Sequence, residues 1–421
     1  MLNKPLGLFD IYINDGNYGE LYPEKEEFSD QGIPFISASD FDGREFNYKN
    51  IKFITEGLHF GRLTKGHLKV GDVVIVVRGN GIGKVGYFKD EIGECNINAQ
   101  LAFIRTNQDD LDSQYLYYLL SSETYLRTMK KFGSGSAQPQ LPINRLKLVP
   151  ISAPDLQTQR KIGQALSAID KKIELNNRIN AELEAMAKTL YDYWFVQFDF
   201  PDDSPQGQGK PYKTSGGKMV YNPTLKREIP DGWEDAPLSS ITRVSNESIN
   251  PADYPEKLFK HFSIPVFDAT NTFGVERGDT IGSNKFTVKD TDLLVSKLNP
   301  WFNRVVYAMA EPEQICSTEF VVWRCPNASI KNFMYMIATS PQFIAHCTQS
   351  ATGTSNSHKR VNPNVMMRFD QPFNLKVAEK LGQHLEPILK QLIVNQRENT
   401  KLASLRDWLL PMLMNGQVTV K

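Results

Sequence analysis

Residues 156–194 read LQTQRKIGQALSAIDKKIELNNRINAELEAMAKTLYDYW, and this stretch decides how the chain folds. Stepping from Ile162 alternately by four and three residues gives an apolar stripe with two asparagines in its middle. The stripe consists of Ile162, Leu166, Ile169, Ile173, Asn176, Asn180, Leu183, Ala187, Leu190 and Trp194. This spacing is typical of a coiled-coil seam. Asp155 occupies the N-cap position, so we predict a helix over about residues 155–196 that needs a partner.

The predicted partner helix lies in the same chain. Each seam position has a counterpart 219 residues further on (381 − 162), and eight of the ten pairs match in character. The counterparts are Leu381, Leu385, Ile388, Leu392, Asn395, Asn399, Leu402, Arg406, Leu409 and Leu413. Both asparagines recur, and Asn374 stands where Asp155 stood. The chain therefore contains an internal repeat with a period of about half its length.

The composition limits the class of protein. A length of 421 residues predicts two to four domains. The formal net charge is zero, so any binding to nucleic acid would have to come from local patches. Cys95, Cys316, Cys325 and Cys347 lack metal-site spacing and predict reduced core thiols in a cytoplasmic protein. We expect no signal peptide and no membrane span, because no stretch approaches the ~18 apolar residues that a span needs.

The repeat predicts the order domain, helix, domain, helix. The predicted segments are a first domain over 1–150, a long helix over 151–198, a connector over 199–232, a second domain over 233–372 and a second long helix over 373–421. The connector is rich in Pro, Gly, Ser and Asp, which favours an extended conformation.

The first domain is predicted to be rich in β-structure. Its strand-like runs lie at Ile33–Ile36, Val73–Val77 and Leu101–Arg105. A helical patch at Ser113–Lys131 follows. A last strand is then predicted from the apolar residues Leu146, Leu148 and Ile151.

The second domain repeats the first. GDVVIVVRGNGIGKVGY (Gly71–Tyr87) aligns with DTDLLVSKLNPWFNRVVY (Asp290–Tyr307). The helical patch recurs at Phe333–Phe343, and the small-residue loop at 133–136 recurs at 351–357. Four matches at a nearly constant offset indicate a duplication.

Motifs for catalysis are weak in this sequence. Asn299-Pro300-Trp301-Phe302 resembles the N-P-P-F tetrapeptide of amino-methyltransferases, but its third residue is Trp and no cofactor loop precedes it. We interpret it as a turn. Gly79–Lys84 lacks the spacing of a phosphate-binding loop and predicts a β-turn that presents Arg78 and Lys84. Without nuclease or helicase motifs, the sequence favours binding over catalysis.

Five stretches, in this order, resemble the specificity subunit of a type I restriction–modification system over nearly the whole chain. They are GIPFISASDFDG (32–43), GDVVIVVRGNGIGKVGYF (71–88), PISAPDLQTQRKIGQALSAIDKKIELN (150–176), GKPYKTSGGKMVYNPTLKREIPDGW (209–233) and LLPMLMNGQV (409–418). The second half departs from this pattern. Asn299, Pro300, Trp301 and Arg304 replace the glycines of the first hairpin tip, and Pro387 lies inside the second seam, where we expect a bend.

The resemblance implies an α+β fold, in which two long helices join two β-rich target-recognition domains. It further implies a non-catalytic subunit whose domains each read one half of a split target in double-stranded DNA. The helices would set the spacer and dock two modification (methyltransferase) subunits. S-adenosylmethionine is then expected on those subunits, and ATP and Mg²⁺ on restriction subunits, with no cofactor on this chain.

Basic and amide side chains in loops are the candidates for contact with DNA, because Arg pairs with guanine and Asn or Gln with adenine. The candidates in the first domain are Arg62, Lys65, His67, Arg78, Asn80, Lys84, Lys130, Lys131, Ser134 and Gln138. Those in the second domain are Lys297, Asn299, Arg304, Thr352, Ser355, Asn356, His358, Lys359 and Arg360. Two alternatives stay open: a protein-binding scaffold with duplicated domains, and a methyltransferase within the second domain.

The seam also predicts how the helices pair. Because a domain precedes each helix, a compact two-fold arrangement makes the pair an antiparallel coiled coil. Facing seam residues then have numbers that add up to 575, which pairs Asn176 with Asn399 and Asn180 with Asn395. A buried Asn costs stability but fixes the register, because its amide must find a partner.

Overall fold

The computed structural model describes residues 2–41, 46–47, 51–89, 92–135, 139–353 and 358–420. The chain forms two folded units, one made of residues 1–172 and 402–421 and the other of residues 173–401. Each unit contains a β-rich domain and a segment of each long helix.

The described part of the first unit contains two sheets and a separate strand pair. Its strands are β1 (Leu2–Pro5), β2 (Ile11–Asp15), β3 (Ile33–Ile36), β4 (Lys52–Ile54), β5 (Val73–Val76), β6 (Val85–Tyr87), β7 (Asn96–Ile97), β8 (Leu101–Thr106) and β9 (Pro150–Ala153). Its helices are α1 (Ser113–Ser121), α2 (Glu123–Phe132), α3 (Ile143–Leu146) and the start of α4 (Leu156–Tyr191). The sheets have the orders β2-β8-β5-β6 and β4-β3-β7, and β1 pairs with β9.

The second unit repeats this plan within its described residues. Its strands are β10 (Met219–Asn222), β11 (Arg227–Pro230), β12 (Glu234–Pro237), β13 (Arg243–Ser245), β14 (Ser248–Ile249), β15 (Leu258–Phe262), β16 (Gly274–Arg277), β17 (Lys285–Thr287), β18 (Asp292–Ser296), β19 (Val305–Tyr307), β20 (Gln314–Cys316), β21 (Phe320–Arg324) and β22 (Asp370–Phe373). Its helices are α5 (Leu238–Ile241), α6 (Ile264–Thr270), α7 (Ala328–Ala338), α8 (Pro341–Ser350), α9 (Pro363–Met366) and most of α10 (Leu375–Met414). The order β13-β21-β18-β19 matches β2-β8-β5-β6, and the pair β12-β22 matches β1-β9.

In each unit the core of the β-rich domain is continuous with the helix seam. In the first unit Ile162 and Leu166 of α4 and Leu413 of α10 join the same cluster as strand β5 and helix α1. In the second unit Trp194 and Leu381 join the cluster built on β18, β21 and α7. Burial of apolar side chains therefore couples each domain to the helices beside it, at roughly 25 cal/mol per Å² of apolar surface.

The asparagine layers have the predicted antiparallel pairing. In the second unit Asn176 Nδ2 donates to Asn399 Oδ1 at 2.9 Å, and Asn395 Nδ2 donates to Asn180 Oδ1 at 2.9 Å. Asn176, Asn180 and Asn395 are buried, so these amides are not solvent-facing. Because 176 + 399 and 180 + 395 are both 575, the register is the one that the seam predicts.

The remaining seam positions are all buried or half-buried, including Leu183, Leu385, Ile388, Leu392 and Leu402. The polar seam residue Arg406 lies in the first unit, where its Nη1 donates to Asp170 Oδ1 at 2.7 Å. Tyr118 of α1 donates to the other oxygen of Asp170 at 2.6 Å. A charged seam layer in this unit thus also fastens the domain to the helices.

Both long helices have the predicted caps. Asp155 accepts a hydrogen bond from the backbone N–H of Thr158, and Asn374 accepts one from Val377. The second helix continues without interruption through Pro387, whose missing N–H removes one bond of the ladder. A π-helical turn at Asp192–Val196 extends the first helix to the end that the pattern predicts.

The three strand-like runs of the first domain are confirmed, and both helical patches are confirmed with one change. β3 has the predicted bounds, and β5 and β8 each differ from theirs by a single residue. Each helical patch is divided into two helices, because Ser122 and Ser340 adopt extended backbone and cap the second helix of the pair. A Ser cap satisfies an N–H that would otherwise lack a partner, which favours a new helix start.

Two other predictions were wrong. Leu146 ends α3 instead of beginning a strand, and Leu148 is 59% exposed, so the last strand of the domain starts only at Pro150. The connector is folded instead of extended. The ring of Phe200 stacks on Tyr212 with centroids 4.8 Å apart and packs on Trp233 at 5.1 Å, and β10 and β11 form a hairpin. Aromatic burial offsets the preference of its Pro and Gly residues for open structure.

A glycine marks the place where each long helix crosses the domain. A Cβ at Gly382 would lie 1.9 Å from the carbonyl oxygen of Ser329, whereas one at Gly163 would lie 3.0 Å from Gln114 Cβ. Asn332 strengthens the closer crossing by donating to the carbonyl of Gly382 at 2.8 Å. The second unit therefore depends on a backbone contact that only glycine allows.

Gly382→Ala should destabilise the protein by about 1–3 kcal/mol, because the helix must move away from Ser329. Gly163→Ala is the matched control. At that position the helix-forming gain of Ala over Gly, about 1 kcal/mol, offsets a contact that needs only a small adjustment. Denaturant unfolding of the two variants measures the difference, and equal stability of both would contradict the prediction.

Asn180→Leu should lower stability by about 1–3 kcal/mol, because the buried Asn395 amide loses its acceptor. The double replacement Asn180→Leu and Asn395→Leu should recover the loss or exceed the parent protein, because both polar groups leave the seam. Thermal unfolding of both single variants and the double variant tests this coupling. A double variant less stable than either single variant would refute the role of the pair.

Candidate nucleic-acid interface

The hairpin β5–β6 presents the first set of candidate residues. Gly79 and Gly83 have φ of 90° and 84°, conformations that favour glycine, and Gly83 N–H donates to the carbonyl of Val76 at 3.0 Å. Asn80 and Lys84 are exposed at this tip. The segment is thus the predicted tight turn, and its shape follows from the glycines.

A second loop is joined to this tip by backbone hydrogen bonds. Gly79 N–H donates to the carbonyl of Pro139 at 3.0 Å, and Leu141 N–H donates to Val77 at 2.8 Å. Ser134 and Gln140 exchange two hydrogen bonds of 2.8 Å and close the loop. Lys130 and Lys131 are exposed in the last turn of α2, directly before it. The two loops therefore form one surface, whereas candidate Gln138 lies outside the described residues.

An exposed aromatic ring joins a third segment to this surface. Tyr18 is 54% exposed, with the Arg78 guanidinium 5.3 Å and the Lys65 ammonium 5.5 Å from its ring centroid. Asp15 also lies 3.8 Å from Arg78. No sequence pattern points to Tyr18, because its role depends on cations distant in the chain. A ring between two cations can pack against a base or a sugar.

Two other candidates near this segment are engaged in packing. Arg62 forms an ion pair with Glu27. The imidazole of His67 stacks on that of the buried His59 with centroids 3.9 Å apart, and its Nε2 is 2.6 Å from the carbonyl of Leu63. These contacts favour a structural role for both side chains.

The second unit brings its candidates together by the same bonds. Asn299 N–H donates to Lys359 at 2.7 Å, and Val361 N–H donates to Lys297 at 3.0 Å. Both bonds are displaced by 220 residues from their counterparts in the first unit. Thr352 and Arg360 exchange two bonds as Ser134 and Gln140 do. The duplication therefore reproduces a surface made of a hairpin tip and a closing loop.

The side chains on the second surface differ from those on the first. Asn299 is 8% exposed, has φ of 47°, and its Oδ1 accepts the N–H of Lys359 at 3.0 Å. It therefore serves as a tie between the loops, in agreement with a turn and not a catalytic tetrapeptide. Trp301 and Phe302 are exposed beside it, while Thr352 and His358 are exposed on the closing loop. Candidates Ser355 and Asn356 lie outside the part of the chain that the structure describes.

Both candidate arginines of this surface are held by carboxylates. Arg304 donates through Nε and Nη2 to Asp268, over the ring of Phe302 at 4.5 Å, and its side chain is only 11% exposed. Arg360 donates to both oxygens of Glu319 and stays 46% exposed. Neither acidic partner could be found from the sequence, because each comes from a distant segment.

An ion pair with a buried aspartate supports the hairpin in each unit. Arg105 Nε donates to Asp72 Oδ1 at 2.8 Å, and Arg324 Nε donates to Asp292 Oδ1 at 2.9 Å. Both aspartates are fully buried. Burial raises the pKa of Asp72, and the hydrogen bonds from Arg105 oppose that rise. Arg324 is also buried, and removing one partner of a buried pair costs about 3–5 kcal/mol, so the second pair fixes the strand that carries its tip.

In the second unit, Lys331 adds a further support to the hairpin. Its Nζ donates to the carbonyl of Asp290 at 2.6 Å and to that of Ala308, and it lies 3.5 Å from the centroid of the Tyr307 ring. These carbonyls flank the two strands of the hairpin. Burial lowers the pKa of Lys331 to about 7. The amino group thus holds the base of the tip and gives up its contact with water.

The described residues contain no cluster of three or more His, Cys, Asp or Glu side chains arranged to hold a metal ion. Within the same residues, every helix is too short or too polar to span a membrane. All four cysteines are buried and unpaired, as predicted, and burial raises the pKa of each thiol.

Comparison with known proteins agrees with this duplicated module. Residues 8–185 match the family described as type I restriction modification DNA specificity domain. The chain is 28% identical over 327 residues to the type I restriction enzyme MjaIX specificity subunit of Methanocaldococcus jannaschii, covering 75% of this chain and 71% of that protein. It is 28% identical over 170 residues to the HindI specificity subunit of Haemophilus influenzae, covering 40% and 36%.

The fold agrees with a solved structure. The crystal structure of a type I restriction-modification system S subunit from M. genitalium superposes with a TM-score of 0.60 at 15% identity, covering 98% of this chain and 95% of that one. The chain is similar to type I restriction–modification specificity subunits, in sequence over 75% of its length and in fold.

Lys331→Met should remove a pH-dependent part of the stability. The pKa of Lys331 is lower in the folded protein, so the unfolded chain binds more protons between pH 7 and about 10.5. The contribution of Lys331 to stability is therefore fully present above that range and is lost as the pH falls towards 7. The stability difference between parent and variant should rise with pH by at most about 1.4 kcal/mol per unit. Unfolding curves from pH 6.5 to 9.5 measure it, and a difference that stays constant with pH would refute the lowered pKa of Lys331.

Proposed function

We propose that this chain is the non-catalytic subunit that gives a type I restriction–modification complex its DNA sequence specificity. Each β-rich domain reads one half of a bipartite target. The observation that carries the proposal is the repeated joining of a hairpin tip to a closing loop by equivalent backbone bonds. A repeated scaffold with different side chains is what two readers of different half-sites require.

The chemistry of the two surfaces suits groove recognition. Arg78, Lys65 and Lys84 supply cations on the first surface, and Tyr18 supplies a ring for stacking. The second surface has Arg360 and Lys359 beside the exposed rings of Trp301 and Phe302. Cations that meet phosphates give affinity, while a guanidinium that meets guanine gives discrimination of about 1–3 kcal/mol.

The helix pair sets the spacer in this proposal. A single register of α4 against α10 fixes the spacing of the two readers on the DNA. Its buried asparagines select that register, because a shifted pairing would leave amides without partners. Two modification subunits dock on the helices and bring S-adenosylmethionine, and restriction subunits add ATP- and Mg²⁺-dependent cleavage.

Arg78→Ala and Arg360→Ala should each relax base preference in one half of the target only. The measurement is selection of bound duplexes by the full-length chain from a library randomised over its central region, followed by sequencing. Each variant serves as the control for the other, because the two arginines occupy different domains. Affinity should also fall steeply with added salt.

Two results would contradict the proposal. A parent chain that selects no bipartite sequence would exclude a specificity subunit. If either variant relaxed both halves equally, the assignment of one half-site to each domain would be wrong.

A further inference from the structure

Arg360 is held in an orientation suited to base recognition. Its Nε donates to Glu319 Oε2 at 2.9 Å and its Nη2 donates to Oε1 at 3.0 Å. This two-point contact fixes the plane of the guanidinium. It uses one edge of the fork and leaves the opposite edge, formed by Nη1 and the second Nη2 hydrogen, for another acceptor. The side chain is 46% exposed, which leaves room for a ligand beside the guanidinium.

Both partners of this contact are anchored to the recognition surface. The backbone of Arg360 exchanges two hydrogen bonds with Thr352, at 2.9 and 2.8 Å. The carbonyl of Glu319 accepts the N–H of Lys297, at the base of the hairpin tip, at 3.0 Å. The carboxylate and the guanidinium are thus positioned by the two segments that form the surface.

The other candidate arginine of this surface is less accessible. Arg304 is held by Asp268 in the same two-point manner, but its side chain is 11% exposed and its Nη1 also lies 3.4 Å from the carbonyl of Leu298. Arg304 therefore braces the tip. Of the two guanidinium groups that are held by a carboxylate, that of Arg360 is the more accessible.

We propose that Glu319 is a positioning residue for base readout: it holds Arg360 so that the opposite edge of its guanidinium donates to O6 and N7 of a guanine in one half-site. The inference rests on the proposed function. A fork that is already oriented loses less conformational freedom on binding than a free arginine side chain does. The negative charge of Glu319 also repels phosphates, which disfavours attachment of Arg360 to the DNA backbone at unrelated sequences.

Glu319→Gln tests this role, because it keeps the size of the side chain but removes the charge and one acceptor. Asp279→Asn is the matched control, since Asp279 holds Arg277 by two contacts of 3.3 and 2.9 Å and Arg277 is also 46% exposed, on strand β16 of the other sheet. Both variants, the parent and Arg360→Ala are compared as full-length chains by selection from the randomised duplex library. Their affinity for an unrelated duplex is measured in parallel.

Arg360→Ala should identify the base position that Arg360 reads. Glu319→Gln should reduce discrimination at that same position by roughly 5- to 150-fold. Its affinity for the unrelated duplex should stay equal or rise, because a negative charge has been removed. Asp279→Asn should change neither quantity. A purely structural role would instead weaken binding to both kinds of DNA.

The inference is overturned if Glu319→Gln keeps the parental preference, if it weakens binding to both DNAs, or if Arg360→Ala changes no position. If the parent chain still selects a bipartite target in such a case, the proposed function stands. A parent chain without any selected sequence would refute the proposed function itself.

Discussion

A buried amide needs a hydrogen-bond partner, and this requirement sets the register of the long helices. Leucine and isoleucine layers alone tolerate displacement by a heptad, because one apolar contact replaces another. The layers of Asn176 with Asn399 and Asn180 with Asn395 do not, since a shifted pairing would bury amides among apolar groups. Each domain is fastened to the helix segments of its own unit, through Tyr118 and Asp170 in the first and through Arg397 and Glu311 in the second. In the second unit, the position of the domain on the helices therefore depends on these polar layers.

The parts of the fold that could be predicted are those encoded by local periodicity or by repetition. The seam spacing and the caps at Asp155 and Asn374 involve residues only a few positions apart, and the duplication provided a second copy of each signal. Errors arose where distant contacts decided the structure. Pro and Gly favour an open connector, but burial of Phe200 against Trp233 outweighs that preference. The apolar character of Leu148 suggested a strand, yet a helical turn leaves the side chain exposed.

The candidate surfaces were predictable in part for the same reason. The glycines around Asn80 predict a turn, and the basic residues of both loops can be read from the sequence. That the two loops form one surface depends on backbone bonds between residues about 60 positions apart, such as Gly79 with Pro139. For the same reason, the sequence does not show which basic side chains are already paired with a carboxylate. Glu319 and Arg360 come from different segments of the chain. Tyr18 becomes a candidate for contact with DNA only because the fold places Arg78 and Lys65 beside its ring.

The two tips are joined to their closing loops by unequal means, and this inequality bears on how freely each can diversify. Gly79 contributes a backbone bond, so neighbouring side chains can change without loosening the loop. Asn299 adds a side-chain bond to the corresponding backbone bond, so replacing it also removes a contact with the closing loop. Sequence drift at the first tip is therefore compatible with an intact scaffold. At the second tip, a new specificity must arise around a retained asparagine or be accompanied by a compensating change in the loop.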